Sequence, residues 1–232
     1  MLARGFGLHP AKLPKQLPHD VGKLTVLLDI DETLIHSVFL TNQQFLKEKK
    51  QKRKYSQDHF QIENEGSLIR VHRRPDVSWF LEQAAKKFEL VTFTASVESY
   101  ATDILRELDP ANKFIRHRLF RQHCAIHEEF VYTKDLSNLQ RSLARTVLID
   151  NSPICLAANP DNGILVNSFL GEPGRDQTFK TLMKLLDRLN NFPDVRPILA
   201  LTRDCNDLLG MKPEDEPEIV MRQERRLRRT KL

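Results

Sequence analysis

The chain has 232 residues, of which 40% are hydrophobic and 29% charged, with a formal net charge of +5. That length and balance are ordinary for a soluble globular protein and sufficient for one large α/β domain with a real core. No apolar stretch approaches the roughly 20 residues that span a bilayer. Cys124, Cys155 and Cys205 form neither a CxxC metal pattern nor a disulfide framework, which points to a reducing compartment, nuclear or cytoplasmic.

In chain order, Met1 to His19 lacks acidic residues and carries Arg4, Lys12 and Lys15, as a mitochondrial targeting segment would. Pro10, Pro14 and Pro18 break any long amphipathic helix there, so residues 1–20 are expected to form a flexible arm. The run Leu24-Thr-Val-Leu-Leu-Asp-Ile-Asp-Glu-Thr-Leu-Ile-His36 follows. Its apolar, β-branched start predicts a buried strand over Leu24–Asp29 that ends in two carboxylates one residue apart, with Thr33 just beyond. In open α/β sheets ligands bind beyond the carboxyl ends of the strands, and two acids there hold a metal, attack a substrate, or both. The plainer alternative is a strand end followed by a helix N-terminus, where Asp, Glu and Thr are favoured.

An insertion over about 39–72 interrupts the pattern. It opens with the basic run Lys47-Glu-Lys-Lys-Gln-Lys-Arg-Lys54. Phe60 and Ile62 then alternate with polar residues, Asn64-Glu-Gly66 makes a turn, and Leu68–Val71 resumes extended character, which is a small β-hairpin. Any lid it forms should be small. Helices are predicted over Pro75–Lys87, Ser96–Leu108 (with Ser96 as N-cap) and Gln177–Leu189, and further strands over Phe88–Thr94, Thr146–Asp150 and Ile164–Val166. Strands alternating with helices predict a doubly wound parallel sheet over residues 21–205. Residues 206–232, with the basic run Arg222–Lys231, read as a charged tail. Both basic runs could attract nucleic acid, an acidic protein or a membrane, or be solvated loops; no direct nucleic-acid role is expected.

The other strand ends also carry chemistry. Phe93-Thr-Ala-Ser96 follows the second strand, Lys134 lies in Tyr132-Thr-Lys-Asp-Leu-Ser137, and Asp150 and Asn151 close the third. Carboxylates, a hydroxyl, an ammonium and an amide are what phosphoryl transfer needs. Mg²⁺ takes oxygen ligands, a carboxylate can be the nucleophile, fixed donors hold the phosphoryl oxygens, and a second carboxylate can protonate the leaving group.

Asp29-Ile-Asp-Glu-Thr33, Phe93-Thr-Ala-Ser96, Lys134 and Asp150-Asn-Ser-Pro153 resemble the four motifs of the haloacid dehalogenase superfamily. Leu34-Ile-His-Ser37, Arg73-Arg-Pro75 and Arg118-Leu-Phe-Arg121 narrow the resemblance to the small CTD phosphatases and the dullard-type enzymes, over about residues 22–200. The resemblance implies a Rossmann-like core and a Mg²⁺-dependent protein serine/threonine phosphatase, acting on a phosphorylated protein such as the RNA polymerase II C-terminal domain. It implies Asp29 as nucleophile and metal ligand, and Asp31 as general acid and base that binds Mg²⁺ through its backbone carbonyl. Thr94 and Lys134 would bind the phosphoryl group, Asn151 would complete the metal ligands, and Asp150 would orient Lys134 or the metal's waters. Thr33 would fix the loop. Arg121, Phe39, Val97 and Tyr100 would position substrate, the last three by receiving an apolar residue beside the phosphoserine. A monomer is expected. Rival readings are a small-metabolite phosphatase, for which a larger cap would be needed, and a non-catalytic import-receptor-like module, which often lacks the acid pair. A bacterial receiver domain orders its acids differently.

Overall fold

The computed structural model describes residues 11–40, 58–127 and 131–200. The basic runs Lys47–Lys54 and Arg222–Lys231, Cys205 and the tail lie outside the described residues. In chain order the strands are β1 (Thr25–Leu28), β2 (Ile35–Leu40), β3 (His59–Asn64), β4 (Ser67–Arg73), β5 (Glu89–Phe93), β6 (Ile115–Leu119), β7 (Ala125–His127), β8 (Val131–Thr133), β9 (Thr146–Asp150) and β10 (Gly163–Leu165). The helices are α1 (Val77–Lys87), α2 (Glu98–Leu108), α3 (Pro153–Leu156), α4 (Thr178–Leu189) and α5 (Arg196–Ala200). None is long and apolar enough to cross a membrane, among the described residues.

Five strands form a parallel sheet in the order β10-β9-β1-β5-β6. The doubly wound expectation holds, and the period-2 alternation of each strand shows why. Val26 and Leu28 of β1 join one core with Leu90, Val147 and Ile149 and with the apolar stripes of α1, α2 and α4. Leu27, between them, points to the other face, with Val91, Phe93 and Leu148. That second face is covered mainly by irregular chain: Ala11, Leu13, Leu136 and Leu139, plus Leu156 of α3. The first core is closed by Phe80 of α1 stacked on Phe179 of α4, ring centroids 4.7 Å apart.

Several expectations need correction. Residues 11–20 are not a free arm: Ala11 and Leu13 are buried, the Leu13 N–H donates to the Leu139 carbonyl, and Asp20 is buried among Lys23 and Arg116. The DxDxT segment does not lead into a helix. It turns back on the Ile30 carbonyl, which accepts the N–H groups of Thr33, Leu34 and Ile35, and runs into β2. The inserted hairpin is therefore a three-stranded antiparallel sheet, order β2-β4-β3. Its β3–β4 turn is made by Glu65 and Gly66, both at positive φ (49° and 74°), as a two-residue hairpin requires. Pro75 does not open α1: Asp76, at φ 65°, separates the two. Strand β6 has no counterpart in the sequence reading, because Arg116-His-Arg118 occupies its middle and only Ile115 and Leu119 are buried.

Candidate active site

Strands β1, β5 and β9 end side by side. Leu28 of β1 is level with Thr92 on one neighbour and Ile149 on the other. Asp29 and Asp150, one residue beyond that level, and Thr94, two beyond it, thus emerge at one edge. All three are buried. Backbone bonds fix the emergence: Asp29 N–H donates to the Ile149 carbonyl and Thr94 N–H to the Leu119 carbonyl.

Lys134 comes from the loop after β8 and is held by its own N–H donating to the Cys155 carbonyl. Its ammonium donates to Asp29 Oδ1 and to Asp150 Oδ2, both at 2.6 Å, with no solvent exposure of the lysine side chain. Burial alone would discharge such a lysine, but the two carboxylates hold its pKa above the ordinary value. Burial pushes Asp29 up to about 7, against the pull of Lys134 and with the Asp150 charge adding to the rise. Asp29 Oδ2 has no hydrogen bond among the described residues. The second oxygen of Asp150 accepts the Ser152 N–H at 2.8 Å.

Asp31 points elsewhere. Ser96 Oγ donates to its Oδ2 and the Tyr100 hydroxyl to its Oδ1, each at 2.7 Å. Burial raises the Asp31 carboxyl above its usual value, although these two hydroxyls pull the other way. Burial and the Asp31 charge push the Tyr100 phenol up, so it stays a donor. Ser96 was expected to cap α2; its hydroxyl serves Asp31 instead, and Val97 takes the cap position without a side-chain bond. Thr94 Oγ1 accepts the Ser96 N–H at 3.0 Å, which leaves its own hydroxyl proton available.

Thr33 is buried and donates to Asn151 Oδ1 at 3.3 Å, while Asn151 Nδ2 donates to Ser168 Oγ. Asp29, Lys134 and Asp150 are thus joined directly, Thr33 joins Asn151, and Asp31 stands apart with Ser96 and Tyr100. Arg121 is anchored by Nε donating to the Ala95 carbonyl at 2.6 Å, with its guanidinium over the Tyr132 ring. Phe39 is 60% exposed and Val97 41%, and the Phe39 ring stacks on Tyr100 at 6.4 Å. An exposed Phe and Val flanking the half-buried Asp31 carboxylate through Tyr100 and Ser96 make an apolar lip.

Sequence reasoning assigned no role to Arg74. It is 2% exposed and donates to the Thr33 carbonyl, Asp176 and Thr178 Oγ1, tying the DxDxT loop to the start of α4. Ser37 and Ser168 were also missed. Ser37 and Arg74 sit in quoted motif matches, but nothing in a local stretch distinguishes a buried polar tie from a surface residue.

Among the described residues no three His, Cys, Asp or Glu side chains converge as a metal-binding group. The groups that the resemblance assigns to the metal are instead hard oxygens: the Asp29 carboxylate, the Asp31 backbone carbonyl and the Asn151 amide. One or two carboxylates with an amide oxygen, waters and substrate phosphate suit Mg²⁺. The set fits that ion.

The profile of the NLI interacting factor-like phosphatase family matches residues 24–196. The chain is 38% identical over 199 residues to a probable C-terminal domain small phosphatase of Dictyostelium discoideum, covering 84% of this chain and 60% of that protein. It is 35% identical over 195 residues to the human carboxy-terminal domain RNA polymerase II polypeptide A small phosphatase 2, covering 82% of this chain and 66% of the relative. It is also 35% identical over 182 residues to the CTD nuclear envelope phosphatase 1 of Xenopus tropicalis, covering 78% and 72%. The chain thus spans 60% to 72% of the lengths of these relatives. A match that runs from the first strand to the last helix, with relatives above a third identity, means that the chain belongs to the NLI interacting factor-like phosphatase family.

Proposed function

We propose that the protein is a Mg²⁺-dependent phosphatase that removes phosphate from serine or threonine of a phosphoprotein through an aspartyl-phosphate on Asp29. The observation that carries this reading is the buried ammonium of Lys134 shared at 2.6 Å by Asp29 and Asp150. It fixes Asp29 through one oxygen only and leaves the other for attack on phosphorus. The Asp29 oxygen forms a bond to phosphorus as the bond to the serine oxygen breaks, and Asp31 gives its proton to that oxygen. A water then attacks the same phosphorus, Asp31 takes its proton, and phosphate leaves with Asp29 restored. Thr94 and Lys134 would donate to the phosphoryl oxygens.

One ammonium facing two carboxylates leaves the site short of positive charge before a phosphate dianion enters. That supports a requirement for a divalent ion, which would stabilise the transferring phosphoryl charge. The side chain of Asp31, turned onto Ser96 and Tyr100, supports a contact with the ion through its carbonyl rather than its carboxylate. The names of the relatives make the RNA polymerase II C-terminal domain the first substrate to test, and the nucleus or cytoplasm the compartment.

The test is a panel of phosphoserine and phosphothreonine peptides assayed with Mg²⁺, with EDTA, and with Asp29→Asn. Turnover is expected only for the unmodified chain with metal. Beryllium fluoride should bind on Asp29. Full activity in EDTA would sink the metal requirement, and activity in Asp29→Asn would sink the nucleophile.

A further inference from the structure

Tyr100 does two things at once. Its ring is buried beneath the exposed Phe39, stacks on it and so backs the apolar lip. Its hydroxyl lies 2.7 Å from Asp31 Oδ1 and 2.7 Å from Ser37 Oγ. A phenol has one proton. While Asp31 is ionised it can only accept, so the phenol then donates to Asp31 and Ser37 donates to the phenol. Ser37 lies on β2, in the inserted sheet, and Tyr100 on α2. The chain Ser37–Tyr100–Asp31 therefore runs from the inserted sheet to the carboxylate, and Ser96 closes it from the other side at 2.7 Å.

We infer that Tyr100 is a positioning residue for Asp31: its hydroxyl, backed by Ser37, holds the carboxylate that delivers the proton, while its buried ring supports the exposed Phe39 that meets the apolar part of the substrate. This rests on the reading of Asp31 as general acid. The consequence is a coupling between recognition and chemistry. A substrate residue that settles on Phe39 presses through that ring on the side chain that aims the acid, so an apolar neighbour of the phosphoserine should raise kcat as well as lower KM. Remote binding energy spent on orienting a reacting group appears in kcat.

The test uses Tyr100→Phe, which keeps the ring and its stacking and deletes the hydroxyl. Two substrates are compared: a phosphoserine peptide, whose alkoxide leaving group needs a proton, and an aryl phosphate, whose leaving group needs it less. Losing a hydrogen bond to a charged group should lower kcat for the peptide by about 10- to 100-fold, with its KM little changed, and lower kcat for the aryl phosphate much less. Ser37→Ala should give the same pattern more weakly, and it decides the matter if Tyr100→Phe does not fold. A Tyr100→Phe enzyme that loses nothing, or loses equally on both substrates, overturns the inference. Asp31→Asn separates the two levels. If it falls equally on both substrates, the acid role fails and the inference with it. If it discriminates between them and Tyr100→Phe does not, only the inference fails.

Discussion

Replacing Arg74 by methionine tests whether the DxDxT loop is held from behind. Methionine keeps a long apolar body between the rings of Phe169 and Phe179, over which the guanidinium now lies at 5.7 and 5.8 Å. What goes is the fork: bonds of 2.7 Å to Asp176, 3.1 Å to the Thr33 carbonyl and 2.9 Å to Thr178 Oγ1. Removing one partner of a buried ion pair costs about 3–5 kcal/mol. Asp176 keeps 20% side-chain exposure, so water can partly replace the arginine and the cost belongs at the low end, about 3 kcal/mol. For a chain of this size that is a fall in melting temperature of about 6–12 °C. The Thr33 carbonyl loses its buried donor, so the loop carrying Asp31 should shift and kcat should fall together with stability. Arg74→Lys keeps the charge but cannot reach three acceptors in a planar fork, and should recover only part of both losses. The assay is thermal unfolding alongside aryl phosphate turnover. A methionine variant that melts within about 2 °C of the parent and turns over normally would show that the fork carries no load.

Glu89 should control part of the acid stability. Burial works to raise its carboxyl, but bonds from Arg141, Thr25 and Gln16 win and hold it below the ordinary 4.5. A depressed carboxyl contributes stability that is complete above pH 4.5 and is lost as the pH falls through its lower folded value. Glu89→Gln should therefore be less stable at neutral pH and flatter below pH 4.5 in urea melts; parallel curves for the two proteins would refute this. Burial pushes the thiols of Cys124 and Cys155 up to about 12 and about 11, so little thiolate exists near neutrality. In a Cys205→Ser chain, iodoacetamide should label neither until denaturant is added, and rapid labelling of the native protein, read by mass spectrometry, would contradict the burial.

The strands that build the site were legible because each is a short apolar run that stops at a polar residue. Thr146–Asp150 appears in the structure with the boundaries its sequence predicts. Such runs stand out because both faces of a parallel sheet are buried, so few polar residues interrupt them, and those that do, such as Thr92 in β5, are themselves buried. The edge strand β6 was hidden for the converse reason. An edge needs little apolar surface, and its Arg116 instead reaches the buried Asp20 at 2.9 Å. Ser96 was misread because a serine ahead of an amphipathic run is the ordinary sign of a helix cap. Whether that hydroxyl caps the helix or serves a carboxylate 65 residues away cannot be seen locally.

The DxDxT segment shows what kind of information this is. The residues were legible, but their geometry is imposed from outside. Glu32 sits at φ 57°, a conformation that costs a residue other than glycine about 1–2 kcal/mol. It is held there by its N–H donating to the Ile35 carbonyl and by its carbonyl accepting the Phe169 N–H. Thr33 is gripped twice, at its carbonyl by Arg74 and at its hydroxyl by Asn151. Asp31 is gripped by Ser96 and Tyr100. These ties come from β4's end, the β9 loop, the segment after β10, the β5 loop and α2, so no part of the chain near the loop can set it alone. Once the sheet brings those elements together, Asp29 is aimed by Lys134 while Asp31 is aimed independently by hydroxyls. Two neighbouring carboxylates of the same residue type are thereby given different surroundings, a buried ammonium for one and neutral donors for the other. That separation fits the proposed division of labour, with Asp29 as nucleophile and Asp31 as the carrier of the proton.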